Sequence, residues 1–345
     1  GTDYDNLIVF TNSLATLYRA GIPLLRAMTI MKIGPANSRF NIAIEQITFG
    51  LQAGKPLSQA MEEFDDIFPK TYRASIAAGE ESGHLDDILD ELSVMLEKEM
   101  ELTRQIKSGI RYPLMVISAI FAAFVVIISY VVPKFIHFYG SLGAELPLPT
   151  RIVMAVSDAF VNYWWLVVLG IGIVIFGIKK LLSVEWGKLW FDTRLLKIPV
   201  FGNLIIKGNV ARFSLMFKIL FSAGIPIVTC LQILIDSVRN AAVAAEITDM
   251  KELFHLGQES DLRSDRFKFF PKLAREMMTV GLESGSLDKM LHVLGLHYSR
   301  EVSYVSRQIT SILEPLLTLV LGIFILILAL AIMLPMWNLI NVFKG

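Results

Sequence analysis

The beginning of the chain shows the hydrophobic spacing of an amphipathic helix. Apolar residues recur there at intervals of three and four positions, at Leu7, Phe10, Leu14 and Leu17. The same spacing returns in the second half of the chain, at Val210, Phe213, Phe217 and Leu220. We predict that each set forms the buried stripe of a helix that packs against other helices.

Helix breakers divide the sequence that follows into further short helices. Gly21 ends the first helix, and Asn37 or Ser38 is placed to cap a third. No stretch alternates between apolar and polar residues for long enough to predict a β-sheet. Residues 1–111 are therefore predicted to form an all-α bundle of about six helices, and a homologous bundle is predicted within 179–313.

Three apolar stretches interrupt this pattern, and their interiors contain no charged residue: 112–133, 159–178 and 314–337. Each is long enough for a transmembrane helix, which needs about 20 apolar residues. The composition agrees, because 54% of the residues are hydrophobic and only 19% are charged. The predicted fold class is an all-α membrane protein with two tandem homologous helical bundles and three transmembrane helices.

Basic residues predict the orientation of these spans. Lysine and arginine cluster before the first span and after the second, whereas the loop 134–158 contains only Lys134 and Arg151. Basic residues are enriched on the cytoplasmic side of a membrane. Both bundles are therefore expected in the cytoplasm, with the loop 134–158 and the tail 338–345 outside. Two bundles that are each followed by an outbound span require a return crossing between them. The stretch 159–178 supplies this crossing, and it has no counterpart in the repeat.

The most specific sign of duplication is the stretch GEESGHLDD, whose second copy reads GLESGSLDK. The matching positions are Gly79 and Gly281, Glu81 and Glu283, Ser82 and Ser284, Gly83 and Gly285, and Leu85 and Leu287. The flanks also match, because Phe68-Pro69 returns as Phe270-Pro271 at the same offset. A repeat that keeps its spacing over such a length indicates a duplicated domain.

Each copy of this stretch predicts a turn between two helices. Pro69 suits the first position of a helix, and Gly79 suits a left-handed C-cap at the end of that helix. Gly83 is a second permissive turn residue, and Ser82 is expected to cap the next helix. The second copy predicts the same roles for Pro271, Gly281, Gly285 and Ser284. Acidic residues then fall in the first helical turn, where the dipole favours them, at Asp86, Asp87 and Asp288.

Two interpretations of these corners remain open. The corners are either structural helix–turn–helix connections and nothing more, or together they form a surface that contacts a partner. In the second case Asp86, Asp87 and Asp288 are the candidate contact residues. The acidic run of the first copy also fits a solvated helix face.

The sequence offers no pattern for catalysis or cofactor binding. The residues around Lys55 are similar to a phosphate-binding loop, but their glycines are too close together and Pro56 replaces the magnesium-binding Ser or Thr. No two of the histidines are spaced as ligands on one helix face. No nucleophile and base stand in a recognisable context. We therefore predict a protein that is not an enzyme, with no catalytic residue, no cofactor and no metal.

The remaining ionisable and reactive residues exclude further classes. Zero net charge gives no reason to expect nucleic acid as a partner. The interiors of the spans lack ionisable residues, which counts against an ion pump or transporter. Glu314 and Pro315 lie at a predicted membrane edge, where Glu314 is either an interfacial carboxylate with no special task or the partner of a basic residue on a neighbouring helix. Cys230 is predicted to be a buried free thiol.

Taken together, these residues resemble the GspF/PilC family, the polytopic inner-membrane platform proteins of bacterial type II secretion and type IV pilus machines. The resemblance covers nearly the whole chain and rests on FTNSLATLYRAGIPLLRA, GEESGHLDD, LESGSLD and LEPLLTLVLG followed by LALAIMLPMW. The tail LPMWNLINVFKG is most similar to the type IV pilus members of the mannose-sensitive haemagglutinin kind. Family members usually carry a further short N-terminal segment. Because the chain starts at Gly1 and not at methionine, we expect such a segment to be missing from it.

The resemblance implies a platform protein in the bacterial inner membrane, with most of its mass in the cytoplasm. Its implied partners are a cytoplasmic assembly ATPase, pilin or pseudopilin subunits, other inner-membrane assembly proteins and further copies of itself. It would couple the ATPase to the polymerisation of the pilin or pseudopilin. The alternative is a small membrane transporter built on a parallel internal repeat.

Overall fold

The structure is a computed structural model that describes residues 2–31, 38–127, 179–198, 201–238 and 240–343, with scattered positions between 155 and 177. Within these residues the backbone forms helices and turns and contains no strand. The predicted all-α class is therefore confirmed for the described part of the chain. Nearly all of the predicted outward loop 134–158 and much of the predicted span 159–178 lie outside the described residues.

The first repeat follows the predicted order of helices. They are α1 (Thr2–Arg19), α2 (Leu24–Ile30), α3 (Arg39–Gln52), α4 (Leu57–Ala60), α5 (Lys70–Ser82) and α6 (Leu85–Val126), with a 3-10 turn at Glu62–Phe64. The predicted stripe of α1 is confirmed, since Leu7, Phe10 and Leu14 are buried and Leu17 is partly buried. Ser38 caps α3 by accepting a hydrogen bond of 3.2 Å from the backbone N–H of Asn41.

The second half of the chain repeats this order after one additional helix. Its helices are α7 (Glu185–Leu196), α8 (Phe201–Ser222), α9 (Ile227–Ser237), α10 (Ala241–Leu256), α11 (Lys272–Glu283) and α12 (Leu287–Phe343). A 3-10 turn at Glu259–Arg263 takes the place of α4. Left-handed glycines stand at matching turns in the two repeats: Gly21 and Gly224, Gly54 and Gly257, Gly83 and Gly285. These shared turns show that the duplication extends to the backbone conformation.

Each repeat is centred on a cluster of aromatic rings. In the first, the ring of Phe10 lies 5.8 Å from that of Phe40 and 5.7 Å from that of Phe68. In the second, the ring of Phe213, the counterpart of Phe10, lies 5.0 Å from that of Phe270, the counterpart of Phe68. Edge-to-face pairs of this kind add to the stability gained from burial. The predicted stripe of α8 forms part of the second core, because Val210, Phe213, Phe217 and Leu220 are all buried.

The chain divides into two compact units. One comprises Gly1–Ile106 and Leu189–Val305, and the other comprises Lys107–Lys188 and Ser306–Gly345. The first unit contains both aromatic clusters. In the second unit, α6 continues through Pro113, and α12 continues through Glu314 and Pro315. The structure does not describe the side chain of Glu314. Among the residues that are described, no helix combines the length and the apolar character needed to cross a membrane.

Candidate functional site: the two glycine corners

The two corners are the turns between α5 and α6 and between α11 and α12. In the first, Gly83 is the C-cap of α5 and has a left-handed backbone, with φ of 72°. In the second, Gly285 has φ of 65° at the same position. The same hydrogen bond closes both turns: His84 N–H donates to Gly79 O at 3.1 Å, and Ser286 N–H donates to Gly281 O at 2.8 Å. The prediction that Gly83 and Gly285 are permissive turn residues is confirmed.

The prediction of left-handed caps at Gly79 and Gly281 is wrong. Both residues lie within helices, because α5 continues past Gly79 to Ser82 and α11 continues past Gly281 to Glu283. Both are also buried. A Cβ atom at Gly281 would lie 2.9 Å from Leu287 Cα, and one at Gly79 would lie 3.3 Å from Leu85 Cα. These glycines are needed because the next helix begins directly against them and leaves little room for a side chain.

The predicted capping serines do not cap the following helices. Ser82 donates through its hydroxyl to Gly79 O at 3.5 Å, and Ser284 donates to Val280 O at 2.7 Å. Both hydroxyls therefore turn back to the preceding helix, as serines near helix ends often do. The residues directly before α6 and α12 are His84 and Ser286, whose carbonyls accept the first helical hydrogen bonds.

The acidic positions of the corners fall where they were predicted. Asp86 and Asp87 lie in the first turn of α6, and Asp288 lies in the first turn of α12. Asp86 and Asp87 are exposed and Asp288 is partly exposed. A partner protein could therefore reach all three carboxylates. Whether they contact one stays a prediction.

The glutamates of the two corners have different roles. Glu283 pairs with Arg263 at 3.1 Å, whereas Glu81 is exposed. Its neighbour Glu80, which the sequence did not single out, accepts hydrogen bonds from Leu57 N–H at 2.5 Å and from Ser58 N–H at 3.1 Å. Glu80 thus caps α4 from a distant part of the chain. No sequence signal marked it, because the second copy has leucine at this position.

A polar pair at the same position in each repeat joins its first helix to its last. In the first repeat the hydroxyl of Tyr4 donates to Glu99 at 2.8 Å, and in the second Lys207 donates to Glu301 at 2.6 Å. Burial raises the pKa of the Tyr4 phenol, and the nearby Glu99 charge raises it further. The hydrogen bond from Lys207 lowers the pKa of the Glu301 carboxyl.

A groove of about 550 Å³ lies beside the first corner. One wall is the corner itself, and the other is the turn between α8 and α9 at Ser222, Ala223 and Gly224. Acidic residues line the groove, and two of them form ion pairs: Asp90 with Arg19, and Glu91 with Lys218. These pairs offset much of the local negative charge. The groove thus offers a partly polar surface of the kind found at transient protein contacts.

The described residues offer little for covalent or metal chemistry. Among them, no group of three or more His, Cys, Asp or Glu side chains is placed to hold a metal ion. Cys230 is a buried free thiol as predicted, and burial raises its pKa to about 12. A thiol of this kind is a poor nucleophile at neutral pH.

Comparison with known proteins finds one family that covers both repeats. The family described as "Type II secretion system (T2SS), protein F" matches residues 10–133 and 213–335. The chain is 31% identical to the type IV pilus assembly protein PilC of Pseudomonas aeruginosa, over 98% of this chain and 90% of that protein. It is 33% identical to the PilC protein of Thermus thermophilus, over 99% and 84%. It is 30% identical to the type II secretion system protein F of Xanthomonas campestris, over 98% and 84%.

Proposed function

The chain belongs to the type II secretion system protein F family, and from this we propose that it is the inner-membrane platform protein of a type IV pilus or type II secretion machine. The observation that carries the proposal is the double family match. Both matched segments extend from the first helix of a repeat into the apolar stretch after its corner. The family model therefore matches this chain twice, once in each repeat, and relatives of both kinds align over nearly the whole chain.

The proposed arrangement in the membrane follows the basic residues. Residues 1–111 and 179–313 are cytoplasmic bundles, and 134–158 and 338–345 are periplasmic. The transmembrane helices are 112–133, 159–178 and 314–337. The support is the clustering of lysine and arginine beside the bundles and their scarcity in the loop.

A labelling experiment tests this arrangement. We expect a cysteine at Ser141 to react with a membrane-impermeant maleimide in intact cells, because Ser141 lies in the proposed periplasmic loop. Thr16 is exposed on a proposed cytoplasmic bundle, so a cysteine there is the matched control and should react only after lysis. Labelling of position 16 but not of position 141 in intact cells would reverse the orientation.

The proposed mechanism is mechanical coupling. Each corner is the start of a long helix, Leu85–Val126 in the first repeat and Leu287–Phe343 in the second. A continuous helix keeps its backbone hydrogen bonds along its length, so it is a stiff element. A cytoplasmic assembly ATPase that binds the bundles could move both helices, and so act on pilin or pseudopilin subunits in the membrane.

The same proposal assigns the source of energy to the ATPase and not to this chain. We expect the purified chain neither to bind nor to hydrolyse ATP. The turn around Lys55 supports this, because Gly54 has a left-handed backbone and Pro56 directly precedes α4 without a hydroxyl that could hold magnesium. The exposed aspartates Asp86 and Asp87 are placed to affect the rate and salt dependence of ATPase association more than the fold.

Genetic complementation tests the proposed function directly. Removal of the chain should abolish surface pili or the export of the secretion substrate, while the cognate ATPase keeps its own hydrolysis activity. The wild-type chain should restore assembly. If cells without the chain assembled filaments and exported substrate normally, the platform role would be wrong. Which of the two outputs is lost would show which machine the chain serves.

A further inference from the structure

Helix α7 lies between the predicted span 159–178 and the second repeat, and it exposes two tryptophans. Trp186 is 71% exposed and Trp190, one helical turn later, is 46% exposed. Leu189 lies on the same side of the helix and is 40% exposed. A contiguous apolar patch of this kind marks a site of contact with a protein or a membrane. We call Trp186, Leu189 and Trp190 the tryptophan face of α7.

The other side of α7 packs against the second repeat. Asp192 accepts a hydrogen bond of 2.7 Å from the backbone N–H of Ala241, and so holds the start of α10. Leu196 is buried, and α8 begins so close to it that a Cβ added at Gly202 would collide with Leu196 O. At roughly 100° per residue, Trp190 lies about 160° around the helix from Asp192. These contacts leave the tryptophan face uncovered by the described residues.

Helix α7 thus has apolar residues on two sides, and the described part of the chain covers only one of them. A helix that is apolar all round is normally buried all round. Moving the exposed tryptophans and leucine out of water would be favourable, because burial of apolar surface is the main driving force of association. The tryptophan face should therefore contact a second apolar environment.

The position of α7 in the chain indicates which environment this is. Residues 179–182 are helical, and only Ser183 and Val184 separate them from α7. Gly187, in the first turn of α7, lies against this segment, because a Cβ added there would collide with Leu181 O. So short a connection keeps α7 close to the end of the proposed span. The inference therefore rests on the proposed membrane placement, in which 159–178 ends at the cytoplasmic surface.

The segment 179–198 is positively charged, although the chain as a whole has no net charge. It contains five basic and two acidic residues, and one of the acidic residues, Asp192, is engaged with α10. Arg194 stacks on the tryptophan face, with its Cζ 5.4 Å from the centroid of the Trp190 ring. The basic side chains are all exposed: Lys179, Lys180, Lys188, Arg194 and Lys197. This charge is complementary to a surface of anionic lipids.

Tryptophan and basic residues together favour a lipid surface over a protein partner. Tryptophan is enriched at the boundary between water and hydrocarbon, because its ring is apolar and its indole N–H is polar. Lysine and arginine at this boundary extend their stems along the apolar layer and keep their charges among the headgroups. A helix that carries both residue types lies in the plane of the membrane surface.

We propose that α7 lies in the cytoplasmic headgroup region of the membrane, with its tryptophan face toward the acyl chains and its basic residues bound to anionic phospholipid. This contact is additional to the three proposed spans. It holds the second repeat at the membrane surface, because Asp192 and Leu196 join α7 to that repeat.

Fluorescence quenching by lipid tests the depth of α7. The full-length chain carries Cys230→Ala and Leu189→Cys, is labelled with a nitrobenzoxadiazole dye, and is placed in nanodiscs of phosphatidylcholine and phosphatidylglycerol in equal parts. A nitroxide near the headgroup end of the acyl chains is the quencher. We expect it to reduce the fluorescence at position 189 to about half or less, because an interfacial helix reaches the acyl boundary.

Leu256→Cys supplies the matched control. Leu256 is 62% exposed and ends α10, about 22 Å along that helix from the residue that Asp192 holds. A label there should keep most of its fluorescence. Equal quenching at positions 189 and 256 would overturn the proposal. Absence of quenching at position 189 would also overturn it and would leave a protein as the occupant of the tryptophan face.

Failure of this inference is distinguishable from failure of the proposed function. The quenching needs no ATPase and no pilin, and it does not depend on which leaflet faces the cytoplasm, because both leaflets carry the nitroxide. An unquenched α7 in a chain that still restores assembly would refute the inference alone. Each labelled variant should keep the melting temperature of the wild type, which verifies that it is folded.

Lipid charge tests the preference for anionic phospholipid. Quenching at position 189 should be about twofold or more greater in the mixed nanodiscs than in pure phosphatidylcholine. Lys188→Gln combined with Lys197→Gln should remove this difference. Lys268→Gln combined with Lys272→Gln is the matched control and should preserve it, because both lysines are exposed outside α7. Equal quenching in the two lipids for the chain that keeps all its lysines would contradict the preference.

Discussion

Replacing Gly281 with alanine should destabilise the chain, although alanine is the better helix former. In an open helix this change would be stabilising by about 1 kcal/mol. Here the new Cβ would lie 2.9 Å from Leu287 Cα and 3.1 Å from Met290 Cβ. The closest atom belongs to the backbone, so no side-chain rotation can relieve the contact. Overpacking of this kind costs about 1–3 kcal/mol.

The two effects oppose each other, and the steric one should be larger. With the cost near its upper range, the net loss of stability is about 1–2 kcal/mol. Each kcal/mol of lost stability lowers the melting temperature by about 2–4 °C in domains of similar length. The melting temperature can be followed by circular dichroism of the full chain in detergent, at one heating rate for all variants.

The first repeat supplies the matched control. At Gly79 the nearest atom to an added Cβ is the Ile88 side chain at 3.1 Å, and the nearest backbone atom is Leu85 Cα at 3.3 Å. These contacts are less severe than the 2.9 Å backbone contact at Gly281, so Gly79→Ala should cost less stability than Gly281→Ala. If Gly281→Ala instead raised the melting temperature, the close approach of α11 and α12 would be refuted.

Three further substitutions test other parts of the account. Gly285→Val should destabilise the chain by about 1 kcal/mol or more, because a β-branched residue fits poorly at positive φ; an unchanged melting temperature would contradict this. Glu80→Ala should lower the unfolding free energy by about 1–2 kcal/mol through loss of the α4 cap, whereas the exposed Glu81→Ala should have little effect, and equal losses would remove the capping role. Lys207→Met should lower the melting temperature at neutral pH. The pair lowers the pKa of the Glu301 carboxyl, so its stabilisation is fully present at pH values above the ordinary carboxyl pKa and is lost as the pH falls through the lowered pKa. The melting temperatures of the variant and the wild type should therefore converge in acid. A difference that did not change with pH would contradict this.

The elements that the sequence predicted well depend on local patterns. The stripe at Leu7, Phe10 and Leu14 was identified because helical periodicity is visible in a single segment, and burial then follows from it. The duplication was identified because spacing and turn residues recur together. The cap of α3 was narrowed to Asn37 or Ser38 because capping depends on neighbours in sequence, and the structure shows that Ser38 is the cap.

The elements that the sequence did not predict depend on how distant segments approach each other. Gly79 and Gly83 are both plausible caps from composition alone, and only the packing of α6 shows that Gly79 is the close-contact position. Glu80 caps a helix that lies far from it in sequence, so no local pattern could identify it. The contact between the two repeats likewise depends on pairs such as Glu91 and Lys218, whose association no spacing rule predicts.

The central claim is that this chain is a platform on which an assembly ATPase acts, and the binding of the two purified proteins tests it most directly. Full-length chain in detergent is added to the cognate assembly ATPase over a series of salt concentrations. The account predicts binding at low salt that weakens as salt increases, and slower association when Asp86 and Asp87 are replaced by asparagine. Asp65→Asn, at an exposed position away from the corners, should leave the association rate unchanged. No binding by the full-length chain at low salt would contradict the coupling of this protein to a motor.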